Sequence, residues 1–163
     1  MKSSKSIFSI SLLAVSFLFY NCNAQQVTAN ANLEEAKVAI AKSNSIYFQA
    51  FVKGDSSLFI DRYAKDCCIM PPNTPAMCSV NSPLEFFRIA YIQMGLRNGN
   101  FITTDVFGNG EEFVTEMGLF QLFDSGNVMI DNGKYLVLWK KTANEWKMFR
   151  DSFSSNNPAK GDK

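Results

Sequence analysis

From Phe101 onward, apolar and polar residues alternate with a period of two. The stretches "FITTDVFG", "EEFVTEMGLFQLF", "NVMIDNGKYLVLWKK" and "EWKMFRDSFS" predict four consecutive strands, separated by turns at "GNG", "DSG" and "TAN". The earlier part of the chain has a helical period instead. Over residues 32–52, Leu33, Ala36, Ile40, Tyr47 and Phe51 fall on one face. "KGD" stops this helix, with Gly54 at its C-terminus and Asp55 as N-cap of a short second helix, "SSLFIDRYA". "CCIM" is a β-compatible run ending at Pro71. "SPLEFF" then opens a third helix, in which Ser82, Pro83 and Glu85 form a capping box, and which runs to about Leu96. Helices followed by an antiparallel meander predict an α+β fold, with the helices packed on one face of a curved sheet.

Alternation also sorts the last two strands. Tyr135, Val137 and Trp139 share a face, and on the final strand Phe149, Asp151 and Phe153 oppose Trp146, Met148 and Arg150. A carboxylate between two Phe residues is costly in a dry core and ordinary on the wall of a hydrated cavity. Asp151 is therefore expected in a pocket. Trp146 and Met148 are expected on the outer face, as spare apolar surface for a homodimer contact.

Composition narrows the chemistry. The 163 residues carry a net charge of +1 and no basic run, which argues against a nucleic-acid partner. The chain has no His, which removes the commonest general base and metal ligand. No cofactor or metal is expected, and any acid–base chemistry falls to Asp, Glu, Tyr, Lys or Cys.

The first residues read as an export signal: Lys2 and Lys5 precede the apolar run "IFSISLLAVSFLFY", and "CNA" precedes Gln25. The expected organisation is a signal peptide over 1–24, a linker over 25–31, one domain over 32–156 and a polar tail over 157–163. The run is short for a membrane span. The alternatives are a lipid anchor on Cys22 and, third, an uncleaved membrane anchor. In every case the folded part is expected outside the cytoplasm, periplasmic or secreted. Cleavage would leave Cys67, Cys68 and Cys78. Cys68 and Cys78 flank the turn-rich "IMPPNTPAM" and are the candidate disulfide pair. A catalytic thiol lacks a His to activate it.

The segments "YFQAFVKGD", "LFIDRYAKD", "DNGKYLVLWKK" and "WKMFRDSFSSN", with a Pro-Pro hairpin between the first and second pairs, carry a resemblance that spans about residues 33–156. They resemble the SnoaL-like, ketosteroid-isomerase-like branch of the nuclear transport factor 2-like superfamily. The resemblance implies a cone-shaped fold, three helices packed on a strongly curved antiparallel sheet enclosing a pocket, often in dimers. Tyr47, seven residues before Gly54, matches the oxyanion tyrosine of the steroid isomerases. Pro71 stands where their base belongs, and Tyr135 near their second oxyanion acid, so that pattern is broken. SnoaL-type cyclases place a catalytic Asp on the late strands, which Asp151 matches. The expected site is therefore Asp151 as acid or base with Tyr47 and Tyr135 as hydrogen-bond donors. Trp139, Phe149, Phe153, Met94 and Phe107 are the expected apolar walls. The ligand expected is a small hydrophobic molecule bearing a carbonyl, and the chemistry that of an isomerase, cyclase or lyase. A non-catalytic binding pocket, and an interaction module using the outer sheet face, stand as alternatives.

Overall fold

The structure is a computed structural model that describes residues 10–143 and 145–158, with side chains described from Ala31 onward. The expected cleavage site and Cys22 lie outside the described side chains. In chain order the elements are helix α1 (Ile10–Lys53), helix α2 (Ser56–Ile60), strand β1 (Tyr63–Met70), helix α3 (Ser82–Arg88), a π-helical turn (Ile89–Gln93), and strands β2 (Asn98–Gly108), β3 (Phe113–Phe123), β4 (Met129–Lys141) and β5 (Trp146–Ser155). The backbone of α1 is helical from Ile10, through the stretch read as a linker. Among the described residues no helix is long and apolar enough to cross a membrane.

Local chemistry explains the helix boundaries. Gly54 adopts φ 66°, a left-handed conformation that ends α1 at little cost only for glycine. Asp55 then caps α2, its Oδ1 accepting from the Ser57 amide at 2.9 Å and the Ser57 hydroxyl at 2.6 Å. The expected capping box at Ser82 does not form. Asn81 is the N-cap, and the Ser82 hydroxyl is turned back to accept from the Ser79 amide at 2.8 Å.

The five strands form one sheet in the order β1-β5-β4-β3-β2, open at both edges. The meander β2 to β5 is antiparallel, and β1 joins its β5 edge in parallel. Phe59 of α2, fully buried, ties helices to sheet, its ring 4.9 Å from Tyr47, 5.4 Å from Phe51 and 5.2 Å from Tyr63. Each such buried aromatic contributes roughly 1.5–3 kcal/mol of transfer free energy.

Two of the register shifts in the sheet, both β-bulges, change which of the expected site residues face inward. On β5, Trp139 pairs with Met148 but Leu138 pairs with Arg150, so Phe149 is the extra residue. On β2, Thr103 pairs with Gly118 but Asp105 with Met117, leaving Thr104 as the extra residue. The alternation expected along β5 therefore fails midway. Trp146 and Met148, expected outside, are buried in the core at 4% and 1% exposure, while Phe149 is turned away from Asp151 and Phe153. The dimer face cannot consist of Trp146 and Met148.

Candidate active site

The sheet and helices enclose a chamber of about 50 Å³ between α1 and the inner faces of β3, β4 and β5. Half of its lining residues are aromatic, from Tyr47 and Phe48 on α1 to Phe101, Phe120, Tyr135 and Phe153 on the sheet. Two acids face it, Asp151 and Glu116, and no Lys or Arg lines it among the described residues.

Asp151 sits between Ile69 of β1 and Val137 of β4 in the pairing register. Its Oδ2 accepts from the Tyr63 hydroxyl at 2.7 Å. Burial pushes the Asp151 pKa up to about 6, from 3.8; the Tyr63 hydrogen bond opposes that rise and the charge of Glu116 adds to it. The carboxyl therefore titrates near neutrality, the range in which a side chain can both take and return a proton. Burial, and then the negative charge of Asp151, raise the pKa of the Tyr47 hydroxyl, so it stays protonated as a donor. The same two causes, in the same order, push Tyr63 well up.

Glu116 has a different environment. It is fully buried on β3, and its Oε1 accepts from Asn44 Nδ2, Thr103 Oγ1 and the Tyr135 hydroxyl, each at 2.7 Å. Its Oε2 accepts from Trp139 Nε1 at 2.9 Å. Four donors compensate for the desolvation of this carboxylate. Gly118 makes the cluster possible. It pairs directly with Tyr135, and a Cβ there would lie 2.7 Å from the Tyr135 hydroxyl oxygen. Burial, followed by the charge of Glu116, raises the Tyr135 pKa.

Solved structures of known proteins share this architecture, and three illustrate it. An NTF-2-like protein of unknown function from Shewanella oneidensis MR-1 superposes with a TM-score of 0.62 at 14% identity, covering 72% of this chain and 97% of its own. A ketosteroid isomerase-like protein from Erwinia carotovora atroseptica SCRI1043 gives 0.59 at 18% identity, covering 74% and 96%. LinA gives 0.61 at 13% identity, covering 82% and 95%. The chain has the nuclear transport factor 2-like fold. No family model matches the sequence, and no curated protein matches it. At these identities the likeness covers architecture alone, and the site rests on the residues themselves.

Inside this nuclear transport factor 2-like cone, Asp151, Tyr47, Tyr135 and Phe153 all line the chamber. The other expected residues lie elsewhere. Trp139 is fully buried behind the chamber with its indole N–H committed to Glu116. Phe149, displaced by the β5 bulge, stacks under the Arg150 guanidinium at 3.5 Å and beside Phe113. Phe107 is 46% exposed because the Thr104 bulge turns Val106 inward in its place. Met94 ends the π-helical turn, with its amide bonded to the Ile89 carbonyl five residues back at 3.0 Å. The wider turn carries Met94 off the helix's inner face into an outer chamber. Tyr135 reaches the chamber, but its hydroxyl proton is directed to Glu116.

Two site residues escaped the sequence reading. The sequence "SSLFIDRYA" predicts a helix that includes Tyr63, whereas α2 ends at Ile60 and Tyr63 opens β1. Glu116 shares strand parity with Val114, Phe120 and Leu122, the same signal that singled out Asp151. Cys68 and Cys78 are joined by a disulfide, Cα–Cα 4.1 Å, and Cys67 is free and buried. Among the described residues no three His, Cys, Asp or Glu side chains form a metal-binding group.

Proposed function

We propose that this is an exported small-molecule pocket protein in which Asp151 transfers protons on an apolar, carbonyl-bearing ligand. The observation that carries the reading is Asp151 itself: a buried carboxyl facing an apolar chamber, held by one hydroxyl and unneutralised by any cation among the described lining residues. A carboxylate so placed is a stronger base than one in water. It takes a proton from the carbon next to the carbonyl, and the Tyr47 hydroxyl donates a hydrogen bond to the developing enolate oxygen. Return of that proton to a different carbon is isomerisation; expulsion of a leaving group is a lyase reaction. Tyr63 positions the Asp151 carboxyl and Glu116 positions Tyr135.

Thermal-shift screening of small ketones and enones against wild type and Asp151→Asn, with mass spectrometry of whatever copurifies, tests this reading. The expected result is a ligand that stabilises both proteins and is deuterated in heavy water by wild type only. Ligands that bind both equally and exchange with neither would leave a binding pocket without catalysis. Export is tested by intact mass after expression with its own leader, which is expected to begin at Gln25; an acylated Cys22 would indicate the lipid-anchored form.

A second reading, an interface function, is favoured by the outer sheet face. Ile102, Met117, Leu119 and Leu136 are each between 42% and 49% exposed, and Ile102 pairs with Leu119 as Met117 does with Leu136. This apolar patch is the surface proposed for a homodimer.

A further inference from the structure

The Asp151 chamber is much smaller than the ligand sites of typical proteins. At about 50 Å³ it accommodates only a small head group, whereas ligand pockets commonly run to roughly 300–1,000 Å³. A second chamber of about 620 Å³ lies against it. The two share four lining residues, Phe86, Leu96, Leu122 and Phe153, with the Phe86 and Phe153 rings edge-to-face at 5.8 Å. These four side chains form the partition between the chambers.

The outer chamber has a built wall. One side is the hairpin that carries Pro71, Pro72, Pro75 and Met77, closed by the Cys68–Cys78 disulfide. Met77 and Ile69 exchange backbone hydrogen bonds of 2.8 and 3.0 Å, which fastens the hairpin to β1. Three prolines, a disulfide and two backbone bonds leave this wall little freedom to lose on binding. Ile89, Ala90 and Met94 supply the opposite side. The charged residues of both linings are all acids, Asp151 and Glu116 within, Glu85 and Asp131 without, and no Lys or Arg lines either chamber among the described residues. An anionic ligand would be desolvated beside like charges.

We propose that the outer chamber is a second binding subsite, one that holds the extended apolar body of a neutral lipophilic ketone while its carbonyl end passes the Phe86–Phe153 partition to Asp151. The proposal rests on the reading of the Asp151 chamber as a carbonyl pocket and adds the size and charge of the ligand. Met94 and Ile89, which line only the outer chamber, are specificity residues for chain length.

Calorimetry and ligand-observed NMR with acetone, hexyl methyl ketone, decyl methyl ketone and the fatty acid matching the last test it. Affinity is expected to rise about fourfold per methylene, the equivalent of ~0.8 kcal/mol each, until the outer chamber is filled. Met94→Trp and Ile89→Trp are expected to abolish that dependence without changing acetone binding, with melting curves confirming that each variant folds. The fatty acid is expected to bind at least tenfold more weakly than the ketone. Ketones that bind with no dependence on chain length would overturn the second subsite and leave the carbonyl pocket standing. A fatty acid that binds as tightly as the ketone would overturn the charge selection. Failure of every ketone, acetone included, would overturn the carbonyl pocket and the subsite with it.

Discussion

Tyr63 opens the first strand and Asp151 lies near the middle of the last, and the hydroxyl of one donates to Oδ2 of the other over 2.7 Å. The parallel pairing of β1 with β5 makes the contact, since Tyr63 aligns with Met148 and Ile69 with Asp151. The bond favours the charged carboxyl, while burial and Glu116 favour the neutral one, and the balance holds the Asp151 pKa at about 6. Removing the donor in Tyr63→Phe should raise that pKa further. NMR titration of the Asp151 carboxyl checks it, and an unchanged midpoint would mean the bond contributes nothing to the balance.

Asp151→Asn should gain stability in a pH-dependent way. The folded pKa lies above the ordinary 3.8, so the folded state binds the Asp151 proton more tightly than the unfolded state. The associated stabilisation is complete below pH 3.8 and is lost as pH rises to about 6 and beyond. The cost above pH 6 has a ceiling on the order of 3 kcal/mol. Chemical denaturation of the two proteins should show the Asn variant ahead at pH 8 by up to that amount, with the gap narrowing toward pH 4.

Glu116→Ala should be severely destabilising. It strips the acceptor from Asn44, Thr103, Tyr135 and Trp139 together, and each buried donor left unmet costs about 1–3 kcal/mol. A loss of at least ~3 kcal/mol in urea denaturation is expected. A loss below ~1 kcal/mol would show that the cluster is replaced by water.

Met148→Lys should unfold the protein or nearly so, because Met148 is 1% exposed and lines the inner chamber. Leu119→Lys and Leu136→Lys, on the opposite face, should leave the melting temperature of the monomer within a few degrees and weaken self-association. Sedimentation velocity distinguishes these outcomes, and a wild-type protein that stays monomeric at high concentration would remove the dimer proposal.

Breaking the Cys68–Cys78 disulfide, by reduction or by paired Ser substitution, should lower stability by about 2–3 kcal/mol on the loop-entropy argument for a sequence separation of 10. Cys67, buried, should react with a thiol reagent only when the chain unfolds, since burial also raises its pKa.

Periodicity was enough to read the meander, α1 and the inward position of Asp151, because each depends on a regular local repeat. It misplaced residues wherever the repeat is interrupted. Phe149 is itself the extra residue of a bulge, Phe107 follows the bulge at Thr104, and Met94 follows a π-helical turn; each extra residue rotates what comes after it by a full face or part of a turn. Nothing in the composition of "KMFRD" or "TTD" marks a bulge, since neither stretch contains a Gly, Asn or Pro. Tyr63 was lost for another reason: "IDRYA" suits a helix locally, and only pairing with β5 draws it into a strand. Glu116 was legible, lying between Val114 and Phe120 on the inner face.

The extra residue at Phe149 divides β5 into two stretches that follow different reading frames. Upstream the inward positions are Trp146 and Met148; downstream they are Asp151 and Phe153. A chain one residue shorter at this point would present the same side chains inward on a straighter strand. A chain one residue shorter anywhere downstream, at Ser152 for instance, would instead exchange what faces the chamber beyond that point. When related sequences are placed in columns against this one, a gap opposite Phe149 keeps acid with acid, whereas a gap beyond Asp151 aligns Phe153 with residues of the outer face.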